Sequence, residues 1–74
     1  MSGVERKFII DKLKLFIEEK EIEEKLDKIL ASCGITKQDY HSGEEANKIL
    51  EAMIAEKGFF EFVARNIKAK LLIS

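Results

Sequence analysis

The chain has few residues that stiffen or cross-link a small domain: its 74 residues contain one cysteine and no proline. A single cysteine cannot form a disulfide within the chain, so we expect packing to hold the fold together in a reducing compartment, the cytoplasm. A domain of this size buries only about 60% of the surface that its unfolded chain exposes. We therefore expect low stability, to which contact with a second subunit would add.

Long apolar runs are also missing, and so is an N-terminal sequence of the signal-peptide type. The longest apolar stretch is far shorter than the roughly 20 residues that a membrane-spanning helix requires. We therefore expect a soluble chain without a membrane segment, folded as a single domain over residues 1–74.

Neither sign of charge dominates the composition. Thirteen basic side chains face fourteen acidic ones, which leaves a net charge of −1. Such a balance does not favour nucleic acid as the partner of the whole molecule. Hydrophobic residues make up 46% of the chain and charged residues 36%, a composition that argues for a compact domain and against disorder.

The sequence lacks the sustained alternation of a half-buried strand, whereas apolar residues recur at helical spacing in every segment. This pattern predicts an all-α fold, a small four-helix bundle, and leaves little from which to build a sheet. Gly34 supplies the left-handed residue that ends the second helix, and Ser42 with Glu45 forms a capping box at the start of the third. The predicted helices cover approximately residues 4–18, 21–33, 43–57 and 59–72.

The junction between the first two helices contains no residue that marks a turn. Residues 18–24 include no glycine, proline, serine, threonine or asparagine. The apolar faces of the two segments nevertheless point about 140° apart around a common helix axis, so one straight helix could not press both faces on one partner. Two arrangements remain open, a tight helical hairpin and one long helix with its second face on another molecule, and we favour the hairpin.

Residues 32–45, from the end of the second helix to the start of the third, hold the only cysteine, tyrosine and histidine of the chain, Cys33, Tyr40 and His41. Cys33 continues the apolar stripe of the second helix, so we interpret it as a small buried hydrophobe. Thr36 and Asp39 form a weaker capping pattern, which predicts a short helical turn near residues 36–40. His41 precedes the cap serine, and we interpret it as a surface imidazole without an assigned role.

These residues give little support for an enzymatic function. A nucleophilic Cys33 would need an exposed thiol held beside His41, which conflicts with its place on an apolar stripe. A zinc site from Cys33, His41 and Asp39 would lack its usual fourth ligand. The four glycines lie too far apart for a phosphate-binding motif. We expect no catalytic residue, no metal site and no cofactor.

The last helix carries more apolar surface than one core face requires. Its main stripe is expected to face the core and contains Phe59, Phe60, Val63, Ala64, Ile67 and Leu71. A second, smaller strip on its flank contains Phe62, Ala69 and Ile73, with Arg65 as a polar neighbour. A soluble monomer seldom leaves such a second patch unused. The alternative is that other helices cover both flanks.

The leading hypothesis is therefore a non-enzymatic interaction or regulatory module that binds a protein partner, including a second copy of itself. Its binding surface is either the apolar flank of the last helix or the first segment, which is crowded with apolar residues. Phe62, Ile73, Ala69 and Arg65 are the candidate contact residues. The alternative is a weak nucleic-acid-binding domain that uses the mildly basic C-terminal segment. Its candidate contacts are Lys57, Arg65, Lys68 and Lys70.

Overall fold

The computed structural model of the chain describes the backbone of residues 3–73 and the side chains of residues 3–71. This part is a small compact domain that is mostly helical, with a radius of gyration of 11.0 Å. Within it the chain forms four helices and a pair of two-residue strands. In chain order the elements are β1 (Val4–Glu5), α1 (Arg6–Leu13), α2 (Glu19–Cys33), β2 (Tyr40–His41), α3 (Gly43–Ala55) and α4 (Gly58–Ile73).

The chain turns between α1 and α2, as the opposed apolar faces predicted. Helix α1 ends at Leu13, whose carbonyl accepts the N–H groups of Phe16 and Ile17, each at 2.9 Å. Glu18 is extended, with φ −66° and ψ 143°, and α2 begins at the next residue. The predicted first helix over 4–18 is therefore too long at both ends, because residues 4–5 form a strand and residues 14–17 form the turn.

The limits of the other helices lie within about two residues of their predicted positions. Gly34, with φ 69°, follows α2 in the left-handed conformation, and the Ile35 N–H returns to the Leu30 carbonyl at 2.9 Å. Ser42 is the N-cap of α3. Lys57 and Gly58 both have positive φ, 66° and 60°, and they reverse the chain between α3 and α4.

The short antiparallel pairing of β1 with β2 corrects the sequence-based description at two places. The helical turn predicted near residues 36–40 is wrong, since residues 35–39 form a non-helical loop. The expected all-α chain also omits a small sheet, in which Val4 pairs with His41 and Glu5 with Tyr40. Two-residue strands are too short to show alternation in a sequence. Their pairing depends on tertiary contact, and the Arg6 N–H extends it to the Asp39 carbonyl at 2.8 Å.

The core lies between all four helices and is closed by β1. Its apolar side chains come from the predicted stripes of α2 and α3, from one side of α1 and from four positions of α4. Helix α4 packs mainly on α3 and α1. The buried core residues are Val4, Ile9, Leu13, Ile22, Leu26, Ile29, Leu30, Ala46, Ile49, Leu50, Met53, Phe60, Val63, Ala64 and Ile67.

Among the described side chains, those of two polar residues, His41 and Arg6, are buried beside this core. His41 is only 2% exposed, and its Nδ1 lies 3.0 Å from Glu45 Oε1. Arg6 donates from Nη2 to Asp27 Oδ1 at 3.1 Å and lies 3.7 Å from Glu23 Oε1. These carboxylates give hydrogen-bond or ion-pair partners to the imidazole and the guanidinium, which would be costly to bury without partners.

The surface position predicted for His41 is therefore wrong, because the strand pairing turns the imidazole inward. The contact between His41 and Glu45 also gives this glutamate a role other than the predicted capping. Among the described residues, the Ser42 side chain makes no cap hydrogen bond. The Glu45 carboxylate, one helical turn after His41, serves the buried imidazole. The capping-box pattern thus located the start of α3 correctly and misassigned the partner of its glutamate.

No helix in the described part of the chain is both long enough and apolar enough to cross a membrane.

Candidate functional site

Three exposed phenylalanine rings meet where the α1–α2 turn passes the start of α4, and Leu15, which is also exposed, directly precedes one of them in the chain. We call Leu15, Phe16, Phe59 and Phe62 the aromatic patch. The Phe16 and Phe59 rings are stacked, with centroids 4.6 Å apart and an interplanar angle of 6°. The Phe62 and Phe16 rings meet edge to face, with centroids 6.0 Å apart and an interplanar angle of 87°. The exposed fractions are 76% for Leu15, 44% for Phe16, 49% for Phe59 and 57% for Phe62.

Local backbone geometry explains how these residues reach the surface. The tight turn after Leu13 ends the helical register, so the side chains of Leu15 and Phe16 project beyond the core that Leu13 fills. At the start of α4, neighbouring helical positions differ by 100° in direction, so Phe59 and Phe60 cannot both face inward. Phe60 is buried and Phe59 is not. The core position predicted for Phe59 is therefore wrong.

Two ion pairs lie next to residues of the aromatic patch in the sequence, Lys14–Glu19 beside Leu15 and Glu61–Arg65 beside Phe62. Lys14 Nζ lies 3.4 Å from Glu19 Oε1 across the α1–α2 turn. On α4, Arg65 contacts Glu61 through Nη2 at 2.9 Å and Nε at 3.0 Å. The arginine predicted as a rim contact thus lies one turn from Phe62 with its charge already paired along the helix. Exposed pairs of this kind contribute at most about 1 kcal/mol, so they can exchange partners at low cost.

Only part of the α4 flank predicted from the sequence belongs to the exposed cluster of rings in the structure. Phe62, Arg65 and Ala69 are exposed, whereas the side chain of Ile73 lies outside the described residues. Ala69 follows Phe62 by seven residues, or about 10.5 Å along the helix axis. The structure instead joins Phe62 to Phe16 and Phe59. The sequence pattern predicted Phe59 to be in the core. It indicated the first segment, which contains Phe16, as an alternative binding surface, but it did not single out Phe16 as a contact residue.

The four cations of the nucleic-acid alternative do not share one environment. Lys68 forms an ion pair with Glu51 of α3, and Arg65 is paired with Glu61. Lys57 is exposed in the α3–α4 connection. Lys70 lies near α1, with its Nζ 5.8 Å from the centre of the Phe8 ring. The four candidate cations are therefore separated: Arg65 and Lys68 are in ion pairs, Lys70 lies over an aromatic ring and Lys57 is exposed.

The two residues weighed for catalysis have separate, structural surroundings. Cys33 is half-buried against the core, and its Sγ lies 4.0 Å from the Lys48 carbonyl. His41 is buried with Glu45. Within the described residues no group of three or more histidine, cysteine, aspartate or glutamate side chains could hold a metal ion. Cys33 is less buried than its position on the apolar stripe predicted.

Comparison with known proteins adds no family to this description: no family model, no curated protein and no solved structure matches the chain.

Proposed function

We propose that this chain is a cytoplasmic, non-enzymatic interaction module, a small four-helix bundle that pairs with a second copy of itself through the aromatic patch. The observation that carries the proposal is a cluster of three phenylalanine rings, with Phe16 in contact with the other two, that remain about half exposed. Aromatic side chains dominate the energetics of protein interfaces, and a contiguous exposed cluster of them is characteristic of a binding surface.

The charges around the patch support a second copy as the partner. A two-fold contact brings the same surface from each subunit together, so its rim must be complementary to itself. The Lys14–Glu19 and Glu61–Arg65 pairs provide both signs of charge beside the apolar centre. A net charge of −1 adds little repulsion between copies. Covering the patch would also stabilise a domain whose own core is small.

Sedimentation equilibrium over a wide concentration range tests this proposal, with Phe62→Asp as the disrupting variant. We expect the wild-type mass to rise towards twice the 8.5 kDa of the monomer, and the variant to remain monomeric. A buried carboxylate in an apolar interface has no partner, which opposes association. Asn47→Asp adds the same charge at an exposed position of α3 and is the matched control.

Ala69→Asp distinguishes the aromatic patch from the flank predicted by sequence. If the interface centres on Phe16, Phe59 and Phe62, this variant associates more strongly than Phe62→Asp does. Equal loss in both variants would place the interface along α4 instead. A wild-type chain that stays monomeric at every concentration would contradict the proposal, provided that circular dichroism shows the helical fold.

A further inference from the structure

A second surface lies on the other side of α1, where β1 and β2 approach α4. It is an open groove of about 440 Å³, within the size range of small-molecule sites. Its walls include the side chains of Phe8, Tyr40, Ile67 and Lys70, together with the backbone of the β1 segment. We call it the lysine groove. It shares no residue with the aromatic patch.

Two lysine side chains meet over the Phe8 ring: Lys70 lines the lysine groove, and Lys12 reaches the same ring from α1 without lining the groove. The Nζ atoms of Lys12 and Lys70 lie 5.4 Å and 5.8 Å from the centre of the same ring, that of Phe8. Contact with the Lys70 side chain, and then repulsion from its positive charge, lower the pKa of Lys12. The mutual repulsion makes this a place where an anion would be stabilised.

Within the described residues, several lysines contact a carboxylate, whereas Lys12 and Lys70, like Lys20 and Lys28, do not. The paired lysines include Lys14, Lys25 and Lys68. The carboxylate on the groove wall is that of Glu5, which is exposed on β1.

The groove is also lined by Tyr40, whose side chain and backbone are both tethered to the β1 segment. Tyr40 is exposed, yet its hydroxyl oxygen accepts the Gly3 N–H at 3.0 Å, and its backbone pairs with Glu5. Gly3 permits this approach, because a Cβ there would overlap the Tyr40 ring and the His41 carbonyl. The ring is thus held for stacking before any ligand arrives.

We propose that the lysine groove binds a nucleotide, with its phosphate between the Lys12 and Lys70 ammonium groups and its base against the Tyr40 ring. A phosphate has several acceptor oxygens that two ammonium groups can share, and bases stack on aromatic faces irrespective of their identity. The nucleotide is either free or part of a single strand. This site is distinct from the proposed self-association surface.

Nuclear magnetic resonance can detect this binding directly, because Tyr40 is the only tyrosine and the chain has no tryptophan. Adenosine monophosphate is titrated at low salt, followed by inorganic phosphate and a six-residue single-stranded oligonucleotide in parallel samples. We expect the nucleotide to shift the Tyr40 ring protons upfield and to bind more tightly than inorganic phosphate does. Tighter binding of the oligonucleotide would assign the site to single strands, and tighter binding of the monophosphate to the free nucleotide.

Lys12→Gln and Lys70→Gln each test the phosphate contact. We expect each to weaken binding about tenfold, the usual scale for one charged hydrogen bond, whereas Lys20→Gln on the exposed side of α2 leaves affinity unchanged. Lys12→Arg retains the charge and should retain most of the binding. An unshifted Tyr40 ring, equal affinity for inorganic phosphate, or full binding by the Lys12→Gln, Lys70→Gln double variant would each overturn the proposal.

Discussion

Two regions of this molecule use their side chains in opposite ways. In the strand region, residues 3–6 against residues 39–45, the His41 imidazole and the Arg6 guanidinium are buried and paired with carboxylates. In the aromatic patch, apolar rings that look like core residues are exposed. His41 is 2% exposed with a carboxylate partner, whereas Phe59 is 49% exposed. Residue type alone therefore misidentifies the candidate functional surface in this chain.

The difference follows from what each region must satisfy. Burying an imidazole or a guanidinium requires a hydrogen-bond partner, and the strand region and the adjoining helix α2 supply one to each. A phenylalanine ring needs only an apolar neighbour. Phe16, Phe59 and Phe62 partly provide this for one another, and their outer faces remain open. The predictions below test this difference, in order of decreasing expected effect.

Among the substitutions proposed below, His41→Ala should destabilise the fold most. We expect His41→Ala to lower the free energy of unfolding by about 3 kcal/mol, because it leaves a cavity beside the core and removes the partner of Glu45. Phe62→Ala, a larger truncation in the aromatic patch, should cost less than about 1 kcal/mol in the dilute monomer. Urea denaturation at low protein concentration measures both values. A reversed order would contradict the contrast between the two regions.

Gly3→Ala tests whether the strand region tolerates any added volume. The new Cβ would overlap the His41 carbonyl and the Tyr40 ring, so we expect a loss of about 2 kcal/mol or detachment of β1. Amide hydrogen exchange at Val4 and Arg6 would report the detachment. Glu5→Ala, an exposed change in the same strand, is the control and should alter stability by less than about 0.5 kcal/mol. An unaffected Gly3→Ala variant would show that this segment does not pack as described.

The contact between Phe16 and Phe59 should be measurable as a coupling energy. A double-mutant cycle with Phe16→Ala and Phe59→Ala is expected to give about 1 kcal/mol, the usual scale for a stacked aromatic pair. Thermal or urea unfolding of the four proteins provides the cycle. Phe8→Ala combined with Phe59→Ala is the matched cycle without a ring contact and should be additive. Zero coupling between Phe16 and Phe59 would mean that the aromatic patch is not preassembled.

The smallest expected effect is a change in the pKa of Lys12, which lies outside the strand region. Lys70→Gln removes the neighbouring positive charge, so the pKa of Lys12 should rise towards its ordinary value. Side-chain nitrogen resonances followed against pH measure this change, and the Lys20 resonance provides an internal reference. An unchanged Lys12 titration would show that the two ammonium groups do not meet over Phe8.

Local patterns predicted the parts of the fold that depend on neighbours in the chain. Gly34 and Ser42 correctly located a helix end and a helix start, and the opposed stripes correctly favoured a turn before α2. The strand pairing escaped prediction because the contact between Val4 and His41 joins residues far apart in the sequence. The inward direction of His41 follows from that pairing, so it could not be read from the residues around it.

The candidate surface was predictable only in part for the same reason. Phe62 was identified because it lies on a helix flank that the main apolar stripe omits. Phe16 joins it through the α1–α2 turn, whose position no turn residue marks. Phe59 was assigned to the core because it lies about one helical turn before Val63, which is buried. Helical spacing alone does not tell which edge of a broad apolar stripe is covered.

The most direct test of the central claim is an isotope-filtered nuclear Overhauser experiment on a mixture of labelled and unlabelled copies of the chain. Only contacts between different molecules contribute to its cross-peaks. We predict intermolecular cross-peaks from the rings of Phe16, Phe59 and Phe62. An absence of intermolecular cross-peaks at high concentration, or cross-peaks confined to Phe8 and Tyr40, would contradict self-association through the aromatic patch.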